Sequence, residues 1–85
     1  MTTDYNVIVD LDTTGEPADE LLDGLRPYHP ALSLGPRGTV EAILTVSAES
    51  LAQAVVTGLA AAAGATGREP AAVQAMTTAD FDVTF

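Results

Sequence analysis

The chain has 85 residues, 47% of them hydrophobic, and its twelve acidic side chains stand against three arginines and no lysine, for a formal net charge of −9. A chain this short supports one domain, 1–85, and buries only about 60% of its unfolded surface, which leaves little room for a deep, walled active site. The acidity speaks against nucleic-acid backbones and anionic membranes as direct partners, and the absence of cysteine removes disulfides, thiol catalysis and cysteine-based metal sites.

The first residues, Met1-Thr2-Thr3-Asp4, lack the basic region and apolar run of a signal peptide, and no stretch reaches the roughly 18 apolar residues of a membrane span. The expected location is cytoplasmic. A lysine-free, alanine-rich composition is also what a high-GC coding sequence produces, so the acidity has a codon-bias reading beside a functional one.

From Tyr5 to Asp12 the pattern alternates, with Tyr5, Val7, Val9 and Leu11 on one face and Asn6, Ile8, Asp10 and Asp12 on the other. This period of two predicts a first strand. Thr13-Thr14-Gly15-Glu16-Pro17 then supplies cap hydroxyls, a loop glycine and a proline suited to a first helical turn. Ala18, Leu21, Leu22 and Leu25 follow at helical spacing, before Pro27 and Pro30 end a helix of about ten residues.

Ala31 to Leu34 alternates again, and Gly35-Pro36-Arg37-Gly38 is a turn signal leading into Val40, Ala42, Leu44 and Val46, so strands two and three form a hairpin. Ser47 with Glu49, or Ser50 with Gln53 three residues on, offers the cap of a second helix. Its stripe is Leu51, Ala54, Val55, Leu59, Ala62 and Ala63, closing at Gly64 with Gly67 beyond it, where a left-handed cap is expected. Pro70 restarts extended chain, and Ala71 to Met76 is a fourth strand.

The order β-α-β-β-α-β, with both helices amphipathic on one side, predicts an α+β two-layer sandwich of ferredoxin-like type with antiparallel sheet order 4-1-3-2. Beyond it, Phe81, Val83 and Phe85 alternate with polar residues, and both phenylalanines of the chain lie in its last five residues. This pattern predicts an extra extended segment within 77–85, an interaction tail that packs on the domain or adds to a sheet edge.

Val7-Ile8-Val9-Asp10-Leu11-Asp12-Thr13-Thr14 resembles the D-x-D-x-T signature of haloacid-dehalogenase-type phosphotransferases, which implies a nucleophile at Asp10 and a general acid and base at Asp12, with Thr14 completing the motif. The rest of that machinery has no counterpart: no lysine holds a phosphoryl group, and the chain is too short for the parallel sheet that presents it. The alternative is two solvated carboxylates on an alternating strand. His29 has no second histidine or cysteine for a metal site and reads as a loop residue beside strand two. Gly64-Ala65-Thr66-Gly67 is superficially similar to the G-x-x-G loop of KH RNA-binding domains, but it carries no basic residue and fits a helix end better. No catalytic residue, cofactor or metal site is expected.

On the sheet face away from the helices, Ile8 and Ile43 fall on adjacent central strands and make an apolar spot in a polar surround, which something should cover. A second copy, a partner or the chain's own ending are the candidates. Val73-Gln74-Ala75-Met76-Thr77-Thr78-Ala79-Asp80-Phe81-Asp82, after an alanine-rich helix, resembles the ending of small proteins of actinobacteria and their phages, which implies a small accessory protein and no catalytic residues.

The expected function is therefore a non-enzymatic protein-interaction module that binds a protein partner or forms a homodimer through Ile8, Ile43, Phe81, Val83 and Phe85. One alternative is a regulatory domain resembling ACT domains, with Thr13 to Pro17 contacting a small ligand. Another is an acidic nucleic-acid mimic that occupies the basic groove of a host factor.

Overall fold

In the computed structural model, residues 2–13, 19–36, 38–67 and 69–84 are described. Strand β1 (Thr3–Asp10) and strand β3 (Val40–Ala48) form the centre of the sheet because each carries an unbroken apolar alternation. They pair antiparallel with Val7 opposite Leu44 and Val9 opposite Ala42. These residues, with Tyr5, Leu11, Val40, Val46 and Ala48, form the buried core cluster. Both predicted strand faces are realised.

Helix α1 (Asp19–Leu25) follows, ending in the fully buried Leu25, whereas Leu22 is 37% exposed. The predicted start of this helix at residues 14–18 lies outside the described residues. Pro27 does not stop the chain from coiling: Arg26–Tyr28 form a 3-10 turn with Pro27 in its first positions, where a missing N–H breaks no hydrogen bond. His29 closes that turn in the left-handed conformation (φ 51°), its N–H donating to the carbonyl of Arg26 at 3.1 Å.

Strand β2 (Ala31–Leu34) pairs antiparallel with β3. Its hairpin turn is held by the Gly38 N–H on the Gly35 carbonyl (3.0 Å) and the Gly35 N–H on the Thr39 carbonyl (2.9 Å), with Gly38 at φ 77°. Arg37 lies outside the described residues. Strand β3 runs on to Ala48, past Ser47, so the second of the two candidate caps is the one used. Ser50 accepts from the Gln53 N–H at 3.1 Å, and the Gln53 side chain accepts from the Glu49 N–H at 2.7 Å.

Helix α2 (Leu51–Thr66) passes through Gly64 and ends at Gly67, whose φ of 70° and N–H bond to the Ala63 carbonyl (2.8 Å) make the left-handed cap. The G-x-x-G similarity is thus accounted for by a helix end. Because the Ser50 side chain satisfies a helix-end donor, Ser50→Ala is expected to cost about 1 kcal/mol and to lower the melting temperature by roughly 4–8 °C, measured by thermal circular dichroism.

The residues that α2 buries are its smallest, Ala54, Gly58 and Ala62, while Leu51, expected in the inward stripe, is 47% exposed. The helix sits close to the sheet: a Cβ added at Gly58 would lie 2.6 Å from Cγ1 of Val7. Close approach selects small side chains, and Leu59 packs at the margin of the cluster.

Strand β4 (Ala72–Thr77) pairs antiparallel with the other side of β1. The sheet order is β2-β3-β1-β4, which counted from the opposite edge reads β4-β1-β3-β2. The architecture is α+β, with a four-stranded antiparallel sheet and helices packed on it.

The predicted extra extended segment is corrected: residues Thr78–Thr84 form helix α3. The Thr77 hydroxyl accepts from the Asp80 N–H at 3.2 Å, and the acidic Asp80 sits in the first turn, where the helix dipole favours it. This local cap outweighs the two-residue alternation of Phe81 and Val83. Among the described residues, no helix is long and apolar enough to cross a membrane.

Candidate functional site

The β1 pairing positions Ile8 opposite Ile43 on one side and Gln74 on the other, and Ala31 lies opposite Ile43. Strand periodicity puts Asn6 and Asp10 on the same face as Ile8, with Glu41 and Thr45 beside them. This is the face opposite α2, since Gly58 of that helix meets Val7. An apolar pair therefore crosses the middle of a polar sheet surface.

The pair is more covered than a bare face would allow. Ile8 is 8% exposed and Asn6 also 8%, while Ile43 is half-buried. Helix α3 packs against β1 and β4, and its first residue reaches this face, the Thr78 hydroxyl donating to Oδ1 of Asn6 at 2.7 Å. The chain's own ending thus adjoins the spot as a helix.

Phe81 on α3 is half-buried, whereas Val83 is 88% exposed. Phe85 lies outside the described residues. A shallow hollow of about 200 Å³ lies next to the isoleucine pair, lined by Ile8, Asp10, Pro36, Glu41, Ala72 and Gln74 among others. Its lining combines apolar residues with Glu41 and the buried Asp10.

No protein-family model, curated protein or solved structure matches this chain. The site is therefore read from its own chemistry.

Asp10 is not the solvated carboxylate that the alternating strand implied. It is 6% exposed, and its Oδ1 accepts from the Thr39 hydroxyl at 2.8 Å and from the Asp12 N–H at 2.9 Å. The second bond supports Asp12 in a left-handed conformation, φ 54°, which aspartate tolerates better than most residues. Around it the backbone interlocks: the Leu11 N–H donates to the Val40 carbonyl (2.9 Å), the Val40 N–H to the Thr13 carbonyl (2.8 Å), and the Ala71 N–H to the Asp10 carbonyl (2.9 Å). The D-x-D-x-T resemblance thus falls on a strand-end knot, with Thr14 outside the described residues. Most of the segment that an ACT-like ligand would touch, 14–17, lies outside them as well.

Sequence reasoning missed the Thr39 donor, because the hydroxyl comes from 29 positions away, beyond the hairpin. It also left His29 isolated. In the structure His29 borders a hollow with Tyr28, Asp4, Thr45 and Ser47, where the Ser47 hydroxyl donates to Oδ1 of Asp4 at 2.6 Å. The register of β1 on β3, with Asp4 opposite Ser47, was the signal that could have joined those two. Among the described residues, no group of three or more His, Cys, Asp or Glu side chains is placed to hold a metal ion.

Proposed function

We propose that the chain is a small non-enzymatic interaction module of ferredoxin-like type that docks a protein partner on the sheet face carrying Ile8 and Ile43, with α3 at the margin of the contact. The observation that carries this reading is the half-buried Ile43, beside the largely covered Ile8, at the centre of a sheet surface bordered by Glu41 and Thr45. An apolar centre with a polar rim is the usual anatomy of a protein interface.

Two further features support it. Val83, 88% exposed, adds an apolar side chain on α3, and the neighbouring Asp80 and Asp82 are exposed. Glu41 beside the pair and the exposed Asp80 and Asp82 on α3 favour a partner with basic residues at its rim, which would speed encounter more than it would tighten the complex.

The test is affinity capture from a lysate of the source organism with the wild-type chain and with Ile43→Asp in parallel. Placing a carboxylate in the apolar centre should abolish recovery of the partner while leaving the far-ultraviolet circular dichroism unchanged, since Ile43 is half-buried and outside the core cluster. Equal recovery of the same proteins by both chains would overturn the proposal.

A further inference from the structure

Strand β3 is longer than the neighbour on its outer side. It runs from Val40 to Ala48, and β1 accompanies it to the end, with Thr3 opposite Ala48. Strand β2 stops early, at Ala31 opposite Ile43. Among the described residues, β3 from Leu44 to Ala48 therefore has a strand on its β1 side only.

The direction of each backbone group follows from the hydrogen bonds at the start of β3. Val40 donates to the Thr13 carbonyl and accepts from the Leu11 N–H, both on the β1 side, whereas the Thr39 carbonyl accepts from the Gly35 N–H on the β2 side. Successive residues of an antiparallel strand alternate in this respect, so the N–H and C=O of Thr45 and Ser47 point to the side that β2 has left. His29 is next in register opposite Thr45, but it adopts φ 51° and its N–H donates to the Arg26 carbonyl at 3.1 Å. The 3-10 turn steers the chain away from β3 at this point.

Between that turn and β3 lies a hollow of about 550 Å³, lined by Pro27, Tyr28 and Thr57 toward the helices and by Asp4, Thr45 and Ser47 toward the open sheet face. Outward backbone donors and acceptors at strand spacing select an extended chain over a helix or a compact ligand. Asp4, exposed and accepting from the Ser47 hydroxyl, is the carboxylate of this lining. It selects a cation, and the net charge of −9 favours the same choice at long range.

We infer that β3 takes up an extended, lysine- or arginine-bearing segment of another protein as an added strand, antiparallel to β3 and continuing the line of β2. In an antiparallel pair, residues that exchange backbone bonds carry their side chains on the same face. The residues bonded to Thr45 and Ser47 are therefore the basic ones, whose side chains reach Asp4 across the open face. The residues between them turn apolar side chains toward Tyr28 and Pro27. In such a strand the N–H groups of the basic residues face β3, and those of the apolar residues face solvent. The inference uses an edge of the sheet rather than its face and does not depend on the function proposed above.

The test is fluorescence anisotropy of the full chain with a short, capped, labelled peptide of alternating lysine and valine at low salt. Two further peptides of equal charge carry backbone N-methyl groups, on the lysines in one and on the valines in the other. The valine-methylated form should bind as the unmodified peptide does, and the lysine-methylated form at least about tenfold more weakly, because its methyl groups replace the donors to β3. Asp4→Asn, which keeps an acceptor for Ser47, should weaken the unmodified peptide roughly threefold. Amide exchange at Thr45 and Ser47 should slow when the peptide is bound. Equal affinity for the two methylated forms would reduce the binding to charge attraction and overturn the inference. So would tighter binding of the lysine-methylated form, no binding of the unmodified peptide at about 1 mM, indifference to Asp4→Asn, or unchanged exchange at both amides.

Discussion

Gly58→Val is expected to leave the chain largely unfolded at room temperature, and Gly58→Ala to leave it folded but less stable, although alanine is the better helix former. A Cβ at this position lies 2.6 Å from Cγ1 and 3.1 Å from Cβ of Val7. Val7 cannot move aside, because it is fully buried in the central strand and its branched side chain has few rotamers to choose from. The helix must lift instead, loosening Ala54 and Ala62 with it.

Overpacking of this kind costs roughly 2–3 kcal/mol, and replacing a helical glycine by alanine returns about 1 kcal/mol. The net loss for Gly58→Ala is therefore about 1–2 kcal/mol, a fall in melting temperature on the order of 5–15 °C. Valine adds two more methyl groups to the same space, and its cost approaches the few to about a dozen kcal/mol that a domain of this size has in total. Pairing Gly58→Ala with Val7→Ala should recover part of the loss in a double-mutant cycle. Gly58→Ala melting at or above wild type would show that α2 does not approach β1 as closely as described.

Asp10→Ala is expected to destabilise by about 2–4 kcal/mol, while Asp10→Asn should stay within about 1 kcal/mol of wild type. Alanine removes the acceptor of two bonds at once and leaves the Thr39 hydroxyl, on a residue 7% exposed, without that partner. Asparagine keeps an Oδ1 that can accept from both Thr39 and the Asp12 N–H. Urea unfolding of the two variants separates the cases. Equal loss for both would mean that the negative charge, rather than the acceptor atom, holds the knot at the end of β1.

Where the chain alternates strongly, sequence and structure agree, because a period of two over β1 and β3 fits only one assignment of faces. The helices were less legible, since their ends depend on which of several adequate caps wins. Ser50 prevailed over Ser47 because β3 stays paired with β1 as far as Ala48, and Gly67 prevailed over Gly64 because only the later glycine adopts a positive φ. The terminal helix was missed for the same reason: the alternation of Phe81 and Val83 is short, and the Thr77 cap on Asp80 decides the local conformation.

The candidate site was legible as positions and not as exposures. The placement of Ile8 beside Ile43 follows from strand periodicity, but its low exposure depends on tertiary packing, which a strand pattern does not carry. Asp10 was misread in the same way, since an alternation pattern assigns a face and cannot see the hydroxyl that arrives from Thr39.

Site-specific photo-crosslinking decides whether the Ile8–Ile43 face meets another protein. A photoreactive side chain placed at position 43 is activated in lysate of the source organism. Position 43 should give an adduct to a different protein. If it yields only the uncrosslinked chain or copies of itself, the sheet face does not dock a partner.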